Sequence, residues 1–476
     1  MLLSSVSFRN PHLLKETTMP RKLRFEQLDA RTLFAVDFDI DANGRIDSLD
    51  PLAIVDSING ARKFDSRMDI DGDGKVSATD LMKVTDRLNS DLDQSISPMG
   101  KGGGGGGGGG TKVTYQYWRS GSSADSQATS VSGGLGLMGG GLDVDRLFEW
   151  MGQKSFPRDN SGNLIPTGIG GDFLVLRAAG TEAYNPYIQS LVNMNSVSTL
   201  LLPDRASASN PTVLEIISKA EAIFIAGGDQ AQYFSYWNET PVEDSIYEAI
   251  KRSVPIGGTS AGLAVLGDYD FTASTGSTIV SNDALLNPYN TAITIDGNNK
   301  SDGFLTPRDT TIANDSSVTS LLNLLSNTVT DSHFRQRDRL GRLVTFMARL
   351  DADDLVKQSP GASVRGIGIN EQTALLIETN GSSIVVGNAL SSSTDLPRSV
   401  YFMEHTVTAG TEQLTSPLTY TNTQVTRVDY ELGANPFTIW SSFPTTAKKY
   451  AVSATGKMAT RKTAELTSTS TVGIYG

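Results

Sequence analysis

The stretch Val254-Pro-Ile-Gly-Gly-Thr-Ser260-Ala-Gly-Leu-Ala-Val-Leu266 decides the fold. An apolar strand ends at Ile256, small residues follow, and an apolar helix is expected to begin. A sharp strand-to-helix turn needs small flanking residues and lifts a serine hydroxyl above the sheet. Gly258-Thr-Ser260-Ala-Gly262 therefore reads as a nucleophile elbow, with Ser260 as candidate nucleophile. The N–H of Ala261, next along the chain, is the natural oxyanion donor. A helix N-terminus there would favour developing negative charge. A lone G-x-S-x-G also fits a packed glycine turn, so the elbow needs a base from elsewhere.

Around this stretch, short apolar runs alternate with amphipathic segments: Leu135–Met138, Leu147–Met151, Phe173–Leu176, Val213–Ile217, Ala222–Ala226, Ile246–Ile250 and Val254–Ile256. That alternation predicts strands and crossover helices around a parallel sheet, an α/β domain over residues 133–476. After Glu371 the helical period fades. Ile384–Val386, Val400–Met403 and Gln424–Tyr430 predict a β-rich C-terminal part, with a further strand near Thr438–Trp440.

Composition narrows the chemistry. The 476 residues include no Cys, which excludes a disulfide framework, a thiolate metal site and a cysteine nucleophile. The formal net charge of -12 argues against nucleic acid or an anionic membrane as main partner. No apolar run approaches the roughly 18 residues of a membrane span.

Three histidines, His12, His333 and His405, are the candidate bases. His12 lies in a basic, irregular tail over residues 1–35. His405 lies inside a β-like run, Tyr401-Phe-Met-Glu-His-Thr-Val, where a half-buried strand histidine is the ordinary reading. His333 follows apolar Val329 in a polar setting, as expected at a strand end, and is preferred on that context. Behind it crowd Arg335, Arg337, Arg339 and Arg342. They read either as a basic helix face paired with acids such as Asp338 or as a carboxylate clamp, because guanidinium forks bind carboxylates bidentately. Their adjacency to the base favours the clamp.

The N-terminal region has its own logic. Residues 36–92 carry two twelve-residue loops. The first offers Asp39, Asp41, Asn43, Arg45, Asp47 and Asp50, and the second Asp69, Asp71, Asp73, Lys75, Ser77 and Asp80. Side-chain oxygens fall at positions 1, 3, 5, 9 and 12, glycine at 6, and position 7 (Arg45, Lys75) needs only its carbonyl. A hard cation collects six or seven oxygens at this spacing, so two structural Ca2+ sites are expected. Each loop runs into an apolar-periodic helix, Pro51–Ile58 and Leu81–Leu88. Residues 93–132, with the unbroken run Gly102–Gly110 and a Ser/Ala/Thr-rich tract, are expected to form a flexible linker.

The paired loops, each closed by Asp rather than Glu, resemble a type I dockerin. This resemblance implies calcium-dependent docking to a cohesin-like partner. The segment Arg24-Phe-Glu-Gln-Leu-Asp-Ala-Arg-Thr-Leu-Phe34 resembles an N-terminal motif of surface or exported planctomycete proteins, and no apolar core of an ordinary secretory signal precedes it. Together they imply an extracellular or cell-surface location, with the periplasm as the other option.

The large domain resembles cyanophycinase. The resemblance rests on Gly139-Gly-Gly-Leu-Asp143-Val-Asp145-Arg-Leu-Phe-Glu-Trp150, Phe224-Ile-Ala-Gly-Gly228-Asp-Gln230, the Ser260 elbow, Asp331-Ser-His333-Phe-Arg-Gln-Arg337-Asp-Arg339-Leu-Gly-Arg342, and Gly366-Ile-Gly-Ile-Asn-Glu371-Gln. It implies a flavodoxin-like, class I glutamine amidotransferase-like core related to aspartyl dipeptidase E. It also implies a serine exopeptidase that cuts cyanophycin, a poly-aspartate bearing arginine on each β-carboxyl, into β-Asp-Arg dipeptides without a catalytic cofactor. Carried over, Ser260 is the nucleophile, His333 the base and Glu371 its orienting acid. The α/β-hydrolase order, Ser, acid, His, would instead require His405. Gln230 and Asp331 match positions lining the substrate site, and Arg337, Arg339 and Arg342 match arginines that hold aspartyl carboxylates. Gly140 and Gly141 fall where a second oxyanion amide is expected. Three departures stand out: Ser332 before the histidine, Asn370 before Glu371, and an extension over Asn314–Asn327 ahead of the histidine strand. A homodimer is left open. The competing functions are a broader aspartyl dipeptidase and a calcium-dependent adhesion or scaffold protein with an inactive hydrolase domain.

Overall fold

A computed structural model describes residues 115–126 and 128, most of 131–467, and the single residues Met68 and Tyr475; outside it lie 297–303, 305–320, 357–361, 391–394, 408–413 and a few shorter gaps. The chain divides into two units, Met1–Gly102 and Gly103–Gly476. The basic tail, both acidic loops with their expected helices, and the glycine run lie outside the described residues.

In the second unit the strands are β1 (Gln116–Gly121), β2 (Gly134–Met138), β3 (Gly170–Arg177), β4 (Met194–Leu201), β5 (Ala222–Ile225), β6 (Ile256–Thr259), β7 (Thr328–Asp331), β8 (Ser363–Ile369), β9 (Thr373–Glu378), β10 (Ser382–Gly387), β11 (Ser399–Thr406), β12 (Thr419–Asp429), β13 (Phe437–Thr438), β14 (Lys448–Thr455), β15 (Met458–Arg461) and β16 (Ala464–Thr467). The helices are α1 (Asp145–Gln153), α2 (Tyr184–Leu191), α3 (Pro211–Ser218), α4 (Gln230–Trp237), α5 (Pro241–Lys251), α6 (Ala261–Ala264), α7 (Ser281–Leu286) and α8 (Leu340–Ala352).

One sheet runs β1-β4-β3-β5-β6-β2-β9-β10-β13. Its central run β4-β3-β5-β6-β2 is parallel, and the flanking pairs are antiparallel. Central strands of this kind are covered on both faces and read as unbroken apolar runs, as Phe173–Leu176 does. The two-residue period of a strand sorts its side chains. Phe173, Val175 and Phe224 pack with Leu147, Phe148 and Met151 of α1, whereas Leu174, Leu176, Ile223 and Ile225 pack with Val213 and Ile217 of α3 and Ile246 and Ile250 of α5. Both of these latter helices start by rule: Pro follows the boundary residue in each, and the Asn210 side chain accepts from the Thr212 N–H. The second sheet runs β16-β15-β14-β12-β11-β8-β7, antiparallel except for β7 beside β8. Leu343, Val344, Phe346 and Met347 of α8 pack into its core with Val364, Tyr401 and Met403.

This is the expected α/β domain with a β-rich C-terminal part, with four corrections. The flavodoxin-like order holds over β4-β3-β5-β6, but the place beside β6 belongs to β2, which precedes them all in the chain. The residues expected as linker up to 132 include β1. Its backbone pairs with β4 in register Gln116↔Leu201, and Arg119 reaches Asp172 at 3.0 Å. The helix after Ser260 is a single turn, because the chain leaves it by Leu266 and turns at Gly267, where a Cβ would lie 2.5 Å from the Tyr269 carbonyl. The strand expected near Thr438–Trp440 is the two-residue β13.

Candidate active site

The parallel pairing of β2 with β6 builds the site. Met138 faces Thr259 in register, so the turns that leave both strands emerge side by side. The Ser260 N–H donates to the Met138 carbonyl at 3.1 Å. Ser260 itself has φ 52° and ψ −112°, a conformation that side-chain-bearing residues rarely adopt. The elbow's two glycines make that turn sterically feasible. A Cβ on Gly258 would lie 2.4 Å from the Gly262 carbonyl, and one on Gly262 would lie 2.1 Å from that of Ile225.

His333 stands two residues beyond the end of β7, also in the left-handed region at φ 46°. Its N–H donates to the Gly139 carbonyl at 2.7 Å, which ties it to the turn after β2. Glu371 lies in the turn between β8 and β9 and donates its N–H to Gln336 Oε1 at 3.1 Å. The three side chains form one hydrogen-bonded line. Ser260 Oγ lies 2.7 Å from His333 Nε2, and His333 Nδ1 lies 2.6 Å from Glu371 Oε1. A neutral imidazole protonated on Nδ1 donates to Glu371 and leaves Nε2 to accept the serine proton. Burial holds the His333 imidazole below its ordinary pKa of 6.5, and Arg337 and Arg339 push the same way against the pull of Glu371. Burial alone would raise the Glu371 carboxyl, but His333, Arg337 and Arg339 outweigh it and hold the group below its ordinary value. The result is a neutral base beside an ionised acid.

Gly140 and Gly141 have φ +91° and +74° and line this row directly. A Cβ on Gly140 would lie 2.4 Å from His333 Cε1, and one on Gly141 would lie 3.0 Å from Glu371 Cβ. Their place is thus fixed by the imidazole and the carboxylate. The turn after β5 closes the other side: a Cβ on Gly227 would lie 3.6 Å from Ser260 Cβ, and Gln230 opens α4, donating Nε2 to the Phe271 carbonyl at 3.0 Å. His405, the competing base, sits away in β11, 3.9 Å from Asp351 and against the Tyr420 ring.

The arginine block divides. Arg337 is exposed, close enough to influence both His333 and Glu371. Arg342 is 2 % exposed and grips Asp331 with two bonds, Nε to Oδ2 at 2.8 Å and Nη2 to Oδ1 at 2.6 Å. Arg339 adds a third bond to Asp331 at 3.2 Å and donates to the Ser332 carbonyl; burial lowers its pKa to about 10. Asp331, expected to line the substrate site, and Arg342, expected in the carboxylate clamp, are instead bonded to each other inside the protein, with Arg339 as a second partner of Asp331 and the Ile279 carbonyl as a further partner of Arg342. Sequence spacing could not show this, because Asp331 ends a strand and Arg342 sits on the helix after the turn. The Asn370 departure also has a role: its Oδ1 accepts from the Arg335 N–H while its Nδ2 donates to the Pro397 carbonyl, a pairing an ionised Asp could not make. The twelve positions of the acidic loops lie outside the described residues.

Residues 177–290 match the model of Peptidase family S51, and residues 37–89 match that of the Dockerin type I domain. Part of the chain is thus similar to the S51 peptidases, and a separate N-terminal segment to type I dockerins. The cyanophycinase of Synechococcus elongatus is 28 % identical over 215 residues, 45 % of this chain and 53 % of that one. That of Trichormus variabilis is 26 % identical over 204 residues, 42 % of this chain and 54 % of that one. The chain thus spans about half the length of the cyanophycinases it matches. Among solved structures, a peptidase from an acI-B1 Actinobacterium aligns with 60 % of this chain and 95 % of its own, at 19 % identity and a TM-score of 0.32. The S51 match contains Ser260 and Gln230; His333 and Glu371 lie beyond it and are brought in by the fold.

Proposed function

We propose that the chain is a serine exopeptidase that hydrolyses cyanophycin to β-Asp-Arg dipeptides and is tethered through a calcium-dependent docking module. One observation carries the catalytic part: the unbroken row Ser260–His333–Glu371, at 2.7 and 2.6 Å, on a strained elbow. Ser260 Oγ attacks the amide carbonyl as its proton passes to His333 Nε2. Glu371 holds the imidazole by Nδ1–H and balances the imidazolium. The Ala261 N–H, with a glycine amide from Gly140 or Gly141, receives the oxyanion. His333 then protonates the leaving amine, and water releases the acyl group by the reverse steps. Gln230 and Arg337 face the substrate, and Arg337 captures an aspartyl carboxylate through its planar fork.

The docking part rests on the Dockerin type I match and on the two loops' donor sets. Asp39, Asp41, Asn43, Asp47 and Asp50 suit a hard cation, as do Asp69, Asp71, Asp73, Ser77 and Asp80, with carbonyls from Arg45 and Lys75. Calcium there would order the module for a cohesin-like partner outside the cell or on its surface.

Mass spectrometry of products from insoluble cyanophycin tests this reading. Released β-Asp-Arg, absent with Ser260→Ala, supports it. Ser260→Ala should lower turnover by about 10⁴-fold or more. Undiminished release by that variant would sink the serine mechanism. Cleavage of free Asp-X dipeptides with cyanophycin untouched would make the enzyme a broader aspartyl dipeptidase.

A further inference from the structure

The turn from His333 to Arg339 joins β7 to α8 and is left-handed at both ends, with φ 46° at His333 and 49° at Asp338. Such residues persist only where surrounding contacts over-determine them. At the imidazole end, the N–H groups of His333 and Phe334 donate to the carbonyls of Gly139 and Ile369. At the far end the partner comes from 135 residues along the chain. Tyr475 is 2 % exposed, and its hydroxyl accepts from the Leu340 N–H at 3.0 Å and donates to Asp338 Oδ1 at 2.9 Å. Its ring stacks edge-on against Phe334 and Tyr401, both centroids at 5.8 Å, and the Arg335 guanidinium lies 5.8 Å from it. Its carbonyl is held in turn by Arg427 Nη1 at 2.6 Å. Among the described residues, its hydroxyl contacts fall on the base-bearing turn and the start of α8, and its ring and carbonyl tie that turn to Tyr401 and Arg427 of the second sheet.

We propose that Tyr475 is a positioning residue for His333, its hydroxyl fixing the Asp338 end of the turn and its ring fixing Phe334 beside the imidazole. The proposal rests on His333 being the base. An orphaned Asp338 carboxylate and Leu340 N–H would each seek water, and the turn would loosen from that end. Water would then reach an imidazole that burial now keeps neutral, faced by Glu371 from the β8–β9 turn, by Arg337 and Arg339 from its own turn, and by Ser260 from the elbow.

The test is Tyr475→Phe in the full chain, which keeps the ring and removes the hydroxyl. Turnover of cyanophycin should fall about tenfold with KM within twofold. With only three histidines, imidazole C–H resonances can be followed by NMR. The His333 midpoint should move up toward 6.5, while that of His405, beside Asp351 and Tyr420, stays as an internal reference. A folded variant with unchanged turnover and an unmoved His333 midpoint overturns the proposal. If Tyr475→Phe does not fold, Asp338→Gly removes the carboxylate at a left-handed position glycine accepts, and the same two readings decide. Should the wild-type chain release nothing from cyanophycin, the substrate assignment fails, and the His333 titration alone still judges Tyr475.

Discussion

Gly140 faces the imidazole of His333 so closely that a Cβ on it would lie 2.5 Å from Nε2, the atom that accepts from Ser260. The backbone of one turn therefore sets the angle of the base on another. Gly140→Ala must move either the turn or the ring, and its φ of +91° adds strain. A displacement of about 1 Å costs on the order of 10²-fold in rate. The variant should fold, bind substrate and turn it over about a hundredfold more slowly; near-native turnover would show that the ring has room to yield.

Arg337 and Arg342 should separate under substitution. Arg337 is exposed, so Arg337→Ala should leave thermal stability within about 0.5 kcal/mol and raise KM. Arg342→Met leaves Asp331 buried with Arg339 alone, and breaking such a pair costs about 3–5 kcal/mol. Denaturant titration beside steady-state kinetics reads both. A destabilised Arg337→Ala, or a stable Arg342→Met with altered KM only, would reverse the two roles.

The pH profile follows from the sign of the His333 shift. The base works neutral, and burial holds its pKa below 6.5. Plots of kcat/KM should therefore rise with pH, with a midpoint below 6.5, and be flat through neutrality. A midpoint above 6.5 would mean that the free enzyme's imidazole is more solvated or more strongly stabilised by Glu371 than its surroundings indicate.

Asp143 works in the opposite direction. It follows the Gly139–Gly141 turn, accepts from the Tyr184 hydroxyl at 3.1 Å, and is pushed up to about 7 by burial. A raised folded-state pKa stabilises below the unfolded value of 3.8 and loses that contribution as pH rises through about 7. Asp143→Asn keeps an acceptor and cannot ionise. Its advantage over the wild type should grow as pH rises from about 4 through about 7 and then level off, measured by denaturant midpoints. A gap that does not change with pH would argue against the buried acid.

Calcium binding tests the N-terminal loops independently. Isothermal titration of the EDTA-stripped chain should show two sites, and Asp39→Ala and Asp69→Ala should each remove one. Peptide release should not depend on the cation. Loss of release in EDTA would contradict a purely docking role.

What the sequence made legible was chemistry confined to a few neighbouring positions. The Ser260 elbow is visible because steric need fixes glycine at 258 and 262, and His333 because it follows an apolar strand end in a polar setting. Relations across the fold left no such mark. Asp331 and Arg342 read as two substrate contacts because nothing local says that the helix returns the guanidinium to the strand end. Gly140 read as an amide donor, while its second constraint, the nearness of His333, arises only when the turn after β7 docks on the turn after β2. β1 was hidden beside a polar tract because an edge strand joins a sheet through its backbone, here with Tyr117 against the core and Arg119 on Asp172, and needs no long apolar run. Tyr475 had no motif at all.

That edge strand bears on how force would reach the enzyme. In the sheet, β1 lies four places from β6, which at about 4.8 Å per strand is on the order of 20 Å from the elbow. Tension entering through the residues ahead of Gln116 would load the β1–β4 ladder and the Arg119–Asp172 pair first. Load taken up by that ladder would be borne at the far edge of the sheet, with the Ser260–His333 distance left where it is.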